Sequence, residues 1–384
     1  MPRETGHYRT TTFGGETVRA FVPLPLPPHR PELQFDDRLS PLLADADNAV
    51  RRLADAADLV PSTDWFLYGF VRKEAVMTSQ IEGTQATLRE VLEFEVTDKA
   101  ERPEDIREVC NYVDALNYAR REIRRPKGIP LSTRLLCAAH QRLMRGVRGA
   151  DKLPGEIRNS QNWVGGTRPG NARFVPPPPD DARQALADLD QWIHSADPLP
   201  PLIKTGLAHV QFETIHPFLD GNGRIGRLLI ALLAEHWGLL PLPILYVSVP
   251  LKRRRDEYYH WLTAVRTDGD WEGWTEFFLE CACEAADDGV AAAKRLLVLL
   301  ADDRKSVVDH ASATVRSVRL FDQLSKQPMV TVATAMKLLK TTKPTALKAI
   351  DALQQAGILR EITGKQRDRV YAYDRYLAVL SRGM

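Results

Sequence analysis

Apolar side chains recur along most of this chain at three- and four-residue spacing, the period of one helix face. From Ile203 to Phe212 they fall at Ile203, Leu207 and Val210. From Ile225 they fall at Ile225, Leu228, Leu229, Leu232 and Leu233, a stripe wide enough to require burial. Similar patterns predict helices over Pro103–Ile123, with Pro103 suited to the first helical position, and over Ser132–Arg145, with Gly146 as the stop. Asp256–Val265 and Trp271–Ala285 continue the series, and Phe66, Phe70, Met77 and Ile81 make a stripe ending at Gly83. Residues 1–35 lack such a pattern. Pro23, Pro25, Pro27, Pro28 and Pro31 suggest an extended arm there. Two short strand-like pieces, Gln161–Val164 and Ala172–Val175, flank a turn-rich segment from Gly165 to Asn171 and read as a hairpin.

The last 80 or so residues differ. Ala313–Ser325, Val332–Leu339 and Pro344–Ala356 read as three helices, the last stopped by Gly357. Ile358–Ile362 and Val370–Tyr373 read as strands around the Thr363–Arg369 loop. From Lys305 to Met384 there are 14 Lys and Arg against 6 Asp and Glu, a net of +8. The whole chain carries +2, which leaves −6 on residues 1–304. Such a basic segment, with Lys343 and Lys348 on a helix and Lys365, Arg367 and Arg369 in the loop, suits DNA phosphates. A protein-docking or dimerisation module with a solvated basic face accounts for the same charges equally well, and Asp351 lies on that helix.

Candidate chemistry concentrates in residues 216–227, which read His-Pro-Phe-Leu-Asp-Gly-Asn-Gly-Arg-Ile-Gly-Arg. Pro217 disfavours a helical His216, so the preceding helix should end near Ile215. Asn222 is an N-cap candidate for the next helix, and Gly221 and Gly223 permit close backbone approach. A glycine-rich turn opening a helix directs N–H groups and the positive dipole end at an anion. Arg224 and Arg227, three apart, share a face near that end. A histidine can take a proton from a hydroxyl near neutral pH, and a single carboxylate beside phosphates suits Mg²⁺. No G-x-x-x-x-G-K-[ST] loop and no H-E-x-x-H occurs.

This run matches at every defined position the Fic-domain signature H-P-F-x-[D/E]-G-N-G-R-x-x-R, and the chain thereby resembles the Fic family. The resemblance implies a mainly α fold: a Fic helical core with a β-hairpin flap, followed by a small winged helix-turn-helix domain. It implies AMP transfer from ATP to a hydroxyl of a target protein. His216 would be the base, Asp220 the Mg²⁺ ligand, Gly221, Asn222 and Gly223 the anion hole, and Arg224 and Arg227 the phosphate-binding arginines. Thr78-Ser79-Gln80-Ile81-Glu82-Gly83 resembles the family's inhibitory motif [S/T]-x-x-x-E-[G/N]. In that reading Glu82 pairs with Arg227 and keeps the γ-phosphate from settling productively. The hairpin of Trp163, Val164, Gly165 and Phe174 resembles the flap that aligns a target strand, with Arg158 as an anchor.

The expected division is an N-terminal arm and inhibitory-helix region over 1–100, a catalytic core over 101–300 and a winged-helix domain over 305–384. The expected partners are a target protein, DNA through residues 305–384, and a second copy of the chain. The alternative functions are a nucleic-acid-binding regulator whose Fic core senses ATP, and an enzyme that removes AMP as well as adding it. Hydrophobic residues make up 44% of the 384 and charged residues 27%, a soluble composition. The four cysteines show no C-x-x-C and the N-terminus no signal-peptide pattern, from which a cytoplasmic location and no membrane partner are expected.

Overall fold

The computed structural model describes residues 3–29, 31–59, 63–98 and 101–384, without the side chains of 63–66, so Phe66 of the predicted stripe lies outside the described side chains. The elements in chain order are β1 (Gly6–Phe13), β2 (Glu16–Pro23), α1 (Leu39–Asp58), α2 (Thr63–Ile81), α3 (Leu88–Thr97), α4 (Pro103–Arg124), α5 (Thr133–Leu143), α6 (Pro179–Ile193), α7 (Pro201–Ile215), α8 (Asn222–His236), α9 (Ser248–Arg253), α10 (Arg255–Thr267) and α11 (Trp271–Asp309). They continue as α12 (Val315–Leu324), β3 (Met329–Thr331), α13 (Val332–Leu339), α14 (Lys343–Gln355), β4 (Arg360–Glu361), β5 (Val370–Ala372) and α15 (Asp374–Leu380). Two compact units result: residues 1–51 with 111–286, and residues 52–110 with 287–384. No helix among the described residues is long and apolar enough to cross a membrane.

In the first unit α7 and α8 form the centre. Every side chain of α7 from Leu202 to Ile215 is buried, as are those of α8 from Arg224 to Ala234. A helix buried on all sides needs close neighbours. Gly206 supplies one approach, since a Cβ there would lie 2.7 Å from Phe278 Cδ1. The Trp274 indole donates to the Gly206 carbonyl at 3.0 Å across the same contact. α6 covers α7, and α5 covers α8.

The N-terminal segment is not an extended arm. β1 and β2 pair antiparallel over eight residues each, with Phe13 opposite Glu16 and a two-residue turn of Gly14 and Gly15 at φ 58° and 83°. Both turn residues have positive φ, the requirement of a tight I′ hairpin that glycine meets at no steric cost. β2 turns Val18 and Ala20 into a small core with Val175, against which Phe13, Trp163 and Ala172 pack. The Phe21 N–H donates to the Val175 carbonyl at 3.0 Å, tying the hairpin to the chain after residue 174. The prolines hid this two-residue period in the sequence.

In the second unit α3 starts at a reciprocal cap: Glu90 N–H donates to Thr87 Oγ1 at 3.3 Å, and Thr87 N–H donates to the Glu90 carboxylate at 2.8 Å. The basic tail carries a three-stranded antiparallel sheet in the order β3–β5–β4. α12, α13 and α14 pack on one another, α3 packs on β3 and β5, and α15 packs on α2. The strands are shorter than predicted, and β3 and α15 were not predicted at all. Trp271–Ala285, predicted as a separate helix, is the first part of the 39-residue α11. Near the end of α11, the buried Asp303 accepts from Tyr373 OH at 2.6 Å and pairs with Arg375, fastening that helix to the tail within the unit.

Candidate active site

α7 stops where Pro217 predicts. His216 takes the left-handed conformation, φ 50° and ψ 59°, and its N–H closes the last helical bond to Phe212 O at 2.9 Å. A non-glycine residue there is held by its surroundings. Arg158, fully buried, does most of the holding. Its guanidinium donates to the carbonyls of His216 at 2.9 Å, Ser160 at 3.2 Å, Ile215 at 3.4 Å and Pro177. Burial, then the charge of Arg183, pulls the Arg158 pKa down to about 10, which still leaves it cationic at neutral pH.

His216 Nδ1 lies 3.3 Å from Glu213 O. A carbonyl only accepts, so Nδ1 carries the proton and Nε2 keeps its lone pair. Asn162 donates to Phe218 O at 2.9 Å. Asn222 bonds Phe218 twice, donating to its carbonyl and accepting from its N–H, both at 2.8 Å. Asn222 is therefore not the N-cap. That position belongs to Gly221 at φ 76°, while the Asn222 side chain turns back to pin the loop. His216, Leu219, Asp220 and Gly223 keep partial exposure; Pro217, Phe218, Gly221 and Asn222 are buried.

Asp220 Oδ1 accepts from Gly221 N–H at 2.6 Å. Arg224 Nη2 is 3.8 Å from Asp220 Oδ1, and Lys152 Nζ is 3.7 Å from Oδ2. Arg224 and Arg227 are both buried near the start of α8. The loop thus joins a helix N-terminus with no side-chain cap to the buried Arg224 and Arg227 of the same helix, one half-exposed carboxylate and the His216 imidazole. An anionic polyphosphate matches the cations and the helix end.

A second histidine, which no pattern in the sequence marks, sits beneath the loop. His140 on α5 is wholly buried and stacked on Phe218, centroids 3.9 Å apart and planes 7° apart. Gly155 N–H donates to His140 Nδ1 at 2.8 Å, which leaves Nε2–H to donate to Asp220 O at 3.0 Å. Burial pushes the His140 pKa down to about 4, so the ring is neutral at physiological pH. Its signal was weak because it lies on the core face of a helix among apolar residues.

The hairpin predicted over Gln161–Val175 reduces to one antiparallel bridge, Val164 to Phe174, with Gly165 and Gly166 at positive φ. The predicted strand pieces are longer than this bridge because Pro169–Asn171 forms a 3₁₀ turn and Gln161 folds back to bond Pro176 O. Trp163 packs on Phe13, with centroids 6.1 Å apart, and Phe174 lies under Arg266 at 3.9 Å. Glu82 stands in the second unit, just after α2, where Gly83 takes φ 102°. Thr78, at the start of the same motif, is buried.

Two models of the Fic/DOC family match this chain, the family's N-terminal region over residues 40–121 and the Fic domain over 130–234. The loop described above falls within the second. The chain is a Fic-domain protein and belongs to that family. Among its relatives, a protein adenylyltransferase Fic of Drosophila yakuba is 29% identical over 212 residues, 54% of this chain and 39% of the relative. Its counterpart in Drosophila grimshawi is 31% identical over 212 residues, 54% of this chain and 40% of the relative. The chain thus spans about two-fifths of the length of these relatives. A crystal structure of a Fic family protein from Desulfovibrio desulfuricans shares the fold, with a TM-score of 0.57 and 22% identity over 90% of this chain and 98% of that one. A Fic domain containing signaling protein from Bacteroides thetaiotaomicron does so with a TM-score of 0.52 and 18% identity, over 65% and 97%.

Proposed function

We propose that this chain is a protein adenylyltransferase that moves AMP from ATP to a hydroxyl side chain of a target protein. One observation carries the reading: a histidine whose Nδ1 is turned to Glu213 O adjoins an uncapped helix N-terminus that carries two buried arginines in its first turns. The drosophilid relatives bear the name of the same activity. His216 Nε2 takes the proton of the target hydroxyl as its oxygen attacks the α-phosphorus. The bond from that phosphorus to the bridging oxygen breaks, and pyrophosphate leaves. The N–H groups of Asn222 and Gly223, with Arg224 and Arg227, neutralise the phosphate oxygens, where preorganised donors act most strongly, while the Gly221 N–H is engaged by Asp220 Oδ1.

Among the described residues no cluster of three or more His, Cys, Asp or Glu forms a metal cage. A lone, half-exposed Asp220 carboxylate instead fits Mg²⁺, which usually takes one or two carboxylates and completes its shell with phosphates and water. Asp220 would hold the ion, and the ion would supply charge neutralisation at the phosphates. The Val164–Phe174 bridge would align the target segment by strand addition.

Glu82 would restrain the activity. The support is the motif from Thr78 to Gly83, together with the burial of Arg227, the residue Glu82 would pair with. The test of transfer is pyrophosphate release. It should require both ATP and a hydroxyl-bearing protein substrate and disappear in His216→Ala. Release that persists without a protein acceptor and without His216 would show ATP cleavage of another kind.

A further inference from the structure

Beyond transfer, and independently of it, the second unit holds a basic cavity of about 760 Å³ between α3 and the tail. Lys343, Lys365, Arg367 and Arg369 line it, facing Glu93 and Asp368, an excess of two positive charges. Arg369 donates to Lys365 O at 2.8 Å. Lys343, Lys365 and Arg367 make no ion pair with any acid among the described residues. Three lysine and arginine side chains outside any ion pair, with a net excess of two positive charges in the lining, favour an anionic occupant.

The helix ends point the same way. Thr331, Val332 and Ala333 bring the start of α13 to the cavity, and Lys343 brings the start of α14. At α14 the capping residue Thr342 makes no bond to the helix backbone, its hydroxyl being engaged with Thr345 Oγ1 at 3.2 Å. The positive ends of two helices therefore add to the side-chain charge. The rest of the lining includes Val96, Met336 and Leu347, an apolar wall. The volume falls in the range typical of small-molecule sites. α3 forms one side, so a duplex laid on α14 and the 365–369 loop would meet it.

We propose that this cavity is a binding site for a phosphorylated small molecule of nucleotide size, its phosphate on Lys343 and Arg367 and its less polar body against Met336 and Leu347. The probes are AMP, inorganic pyrophosphate and a 12-base-pair DNA duplex, added separately to the full chain and read by hydrogen exchange. AMP or pyrophosphate should protect residues 88–97 together with 331–347 and 363–371. Lys343→Ala with Arg367→Ala replaces two exposed side chains, and should weaken that protection roughly tenfold or more in probe concentration. Protection over 216–227 should be unchanged by that pair, which separates this site from the catalytic loop. The proposal is overturned if neither small probe protects these segments, or if protection survives the double substitution. It is also overturned if only the duplex protects 343–355 and 363–371 while 88–97 is untouched, since the surface would then be an open nucleic-acid interface.

Discussion

At His216 the backbone sits at φ 50°, and the ring's role follows from what each nitrogen can reach. His216→Ala removes the imidazole but none of the groups proposed to hold phosphate. Transfer should fall by ~10²–10⁴-fold, the usual worth of a general base, while ATP affinity measured by equilibrium binding stays within a few-fold of wild type. A variant that keeps its transfer rate would take His216 out of that role. His140 should act by positioning, through the Asp220 carbonyl and the ring of Phe218. His140→Phe keeps the stack yet leaves Asp220 O and Gly155 N–H unpartnered, so nucleotide affinity should drop roughly tenfold. His140→Gln retains a donor and should recover most of it. Equal losses in both variants would mark His140 as packing alone. His209 gives a pH test. Burial, then the charge of Arg227, holds its pKa down to about 3, against ~6.5 for a free histidine. The unfolded chain takes up a proton that the native state refuses. Stability from this residue is complete above about pH 6.5 and is lost as the pH falls towards 3, by up to ~1.4 kcal/mol per pH unit. Urea midpoints for wild type and His209→Gln should therefore converge between pH 7 and pH 5; parallel curves would show that His209 binds its proton equally in both states.

At the scale of elements, α7 ends at His216, and its packing can be tested directly. Alanine normally outperforms glycine inside a helix by ~1 kcal/mol. At Gly206, however, an added methyl would press within 2.7 Å of the Phe278 ring and disturb the Trp274 contact. Overpacking typically costs ~1–3 kcal/mol, so Gly206→Ala should lower stability, read as a reduced denaturation midpoint. A stabilised variant would mean that Phe278 moves freely. The amphipathic helices were legible because burial on one face imprints a 3.6-residue period: α13 and α14 lie within a residue of their predicted ends, while α7, buried all round, was located by its stop at Pro217. The glycine and proline positions of the 216–227 run likewise read directly as a helix stop, a turn and a restart. Long-range partners leave no such mark. Nothing local in Arg158 announces four carbonyl acceptors, and nothing in His140 announces Asp220 O. The β1–β2 hairpin escaped because its alternation is interrupted by Phe21 and shadowed by prolines, and its inward face is completed by Val175, far along the chain. The flap strands were overestimated because turn-rich sequence limits pairing to the Val164–Phe174 bridge.

For the whole molecule, the central question is how the proposed transfer activity is governed. Glu82 follows α2 and Arg227 lies on α8, and the proposed inhibition is tested by substituting each. Glu82→Gly should raise labelling of targets or of the chain itself. Arg227→Ala should abolish it, and the double variant should behave like Arg227→Ala. A Glu82→Gly protein that labels no faster than wild type at matched ATP and Mg²⁺ would remove Glu82 from regulation without touching the transfer chemistry. That chemistry is tested most directly by incubating the Glu82→Gly chain and a protein extract with ATP labelled at the α- or the γ-phosphate. Transfer of AMP predicts covalent label in protein from the α position alone, lost in His216→Ala. Label from the γ position, or from neither position at any ATP concentration, would contradict it.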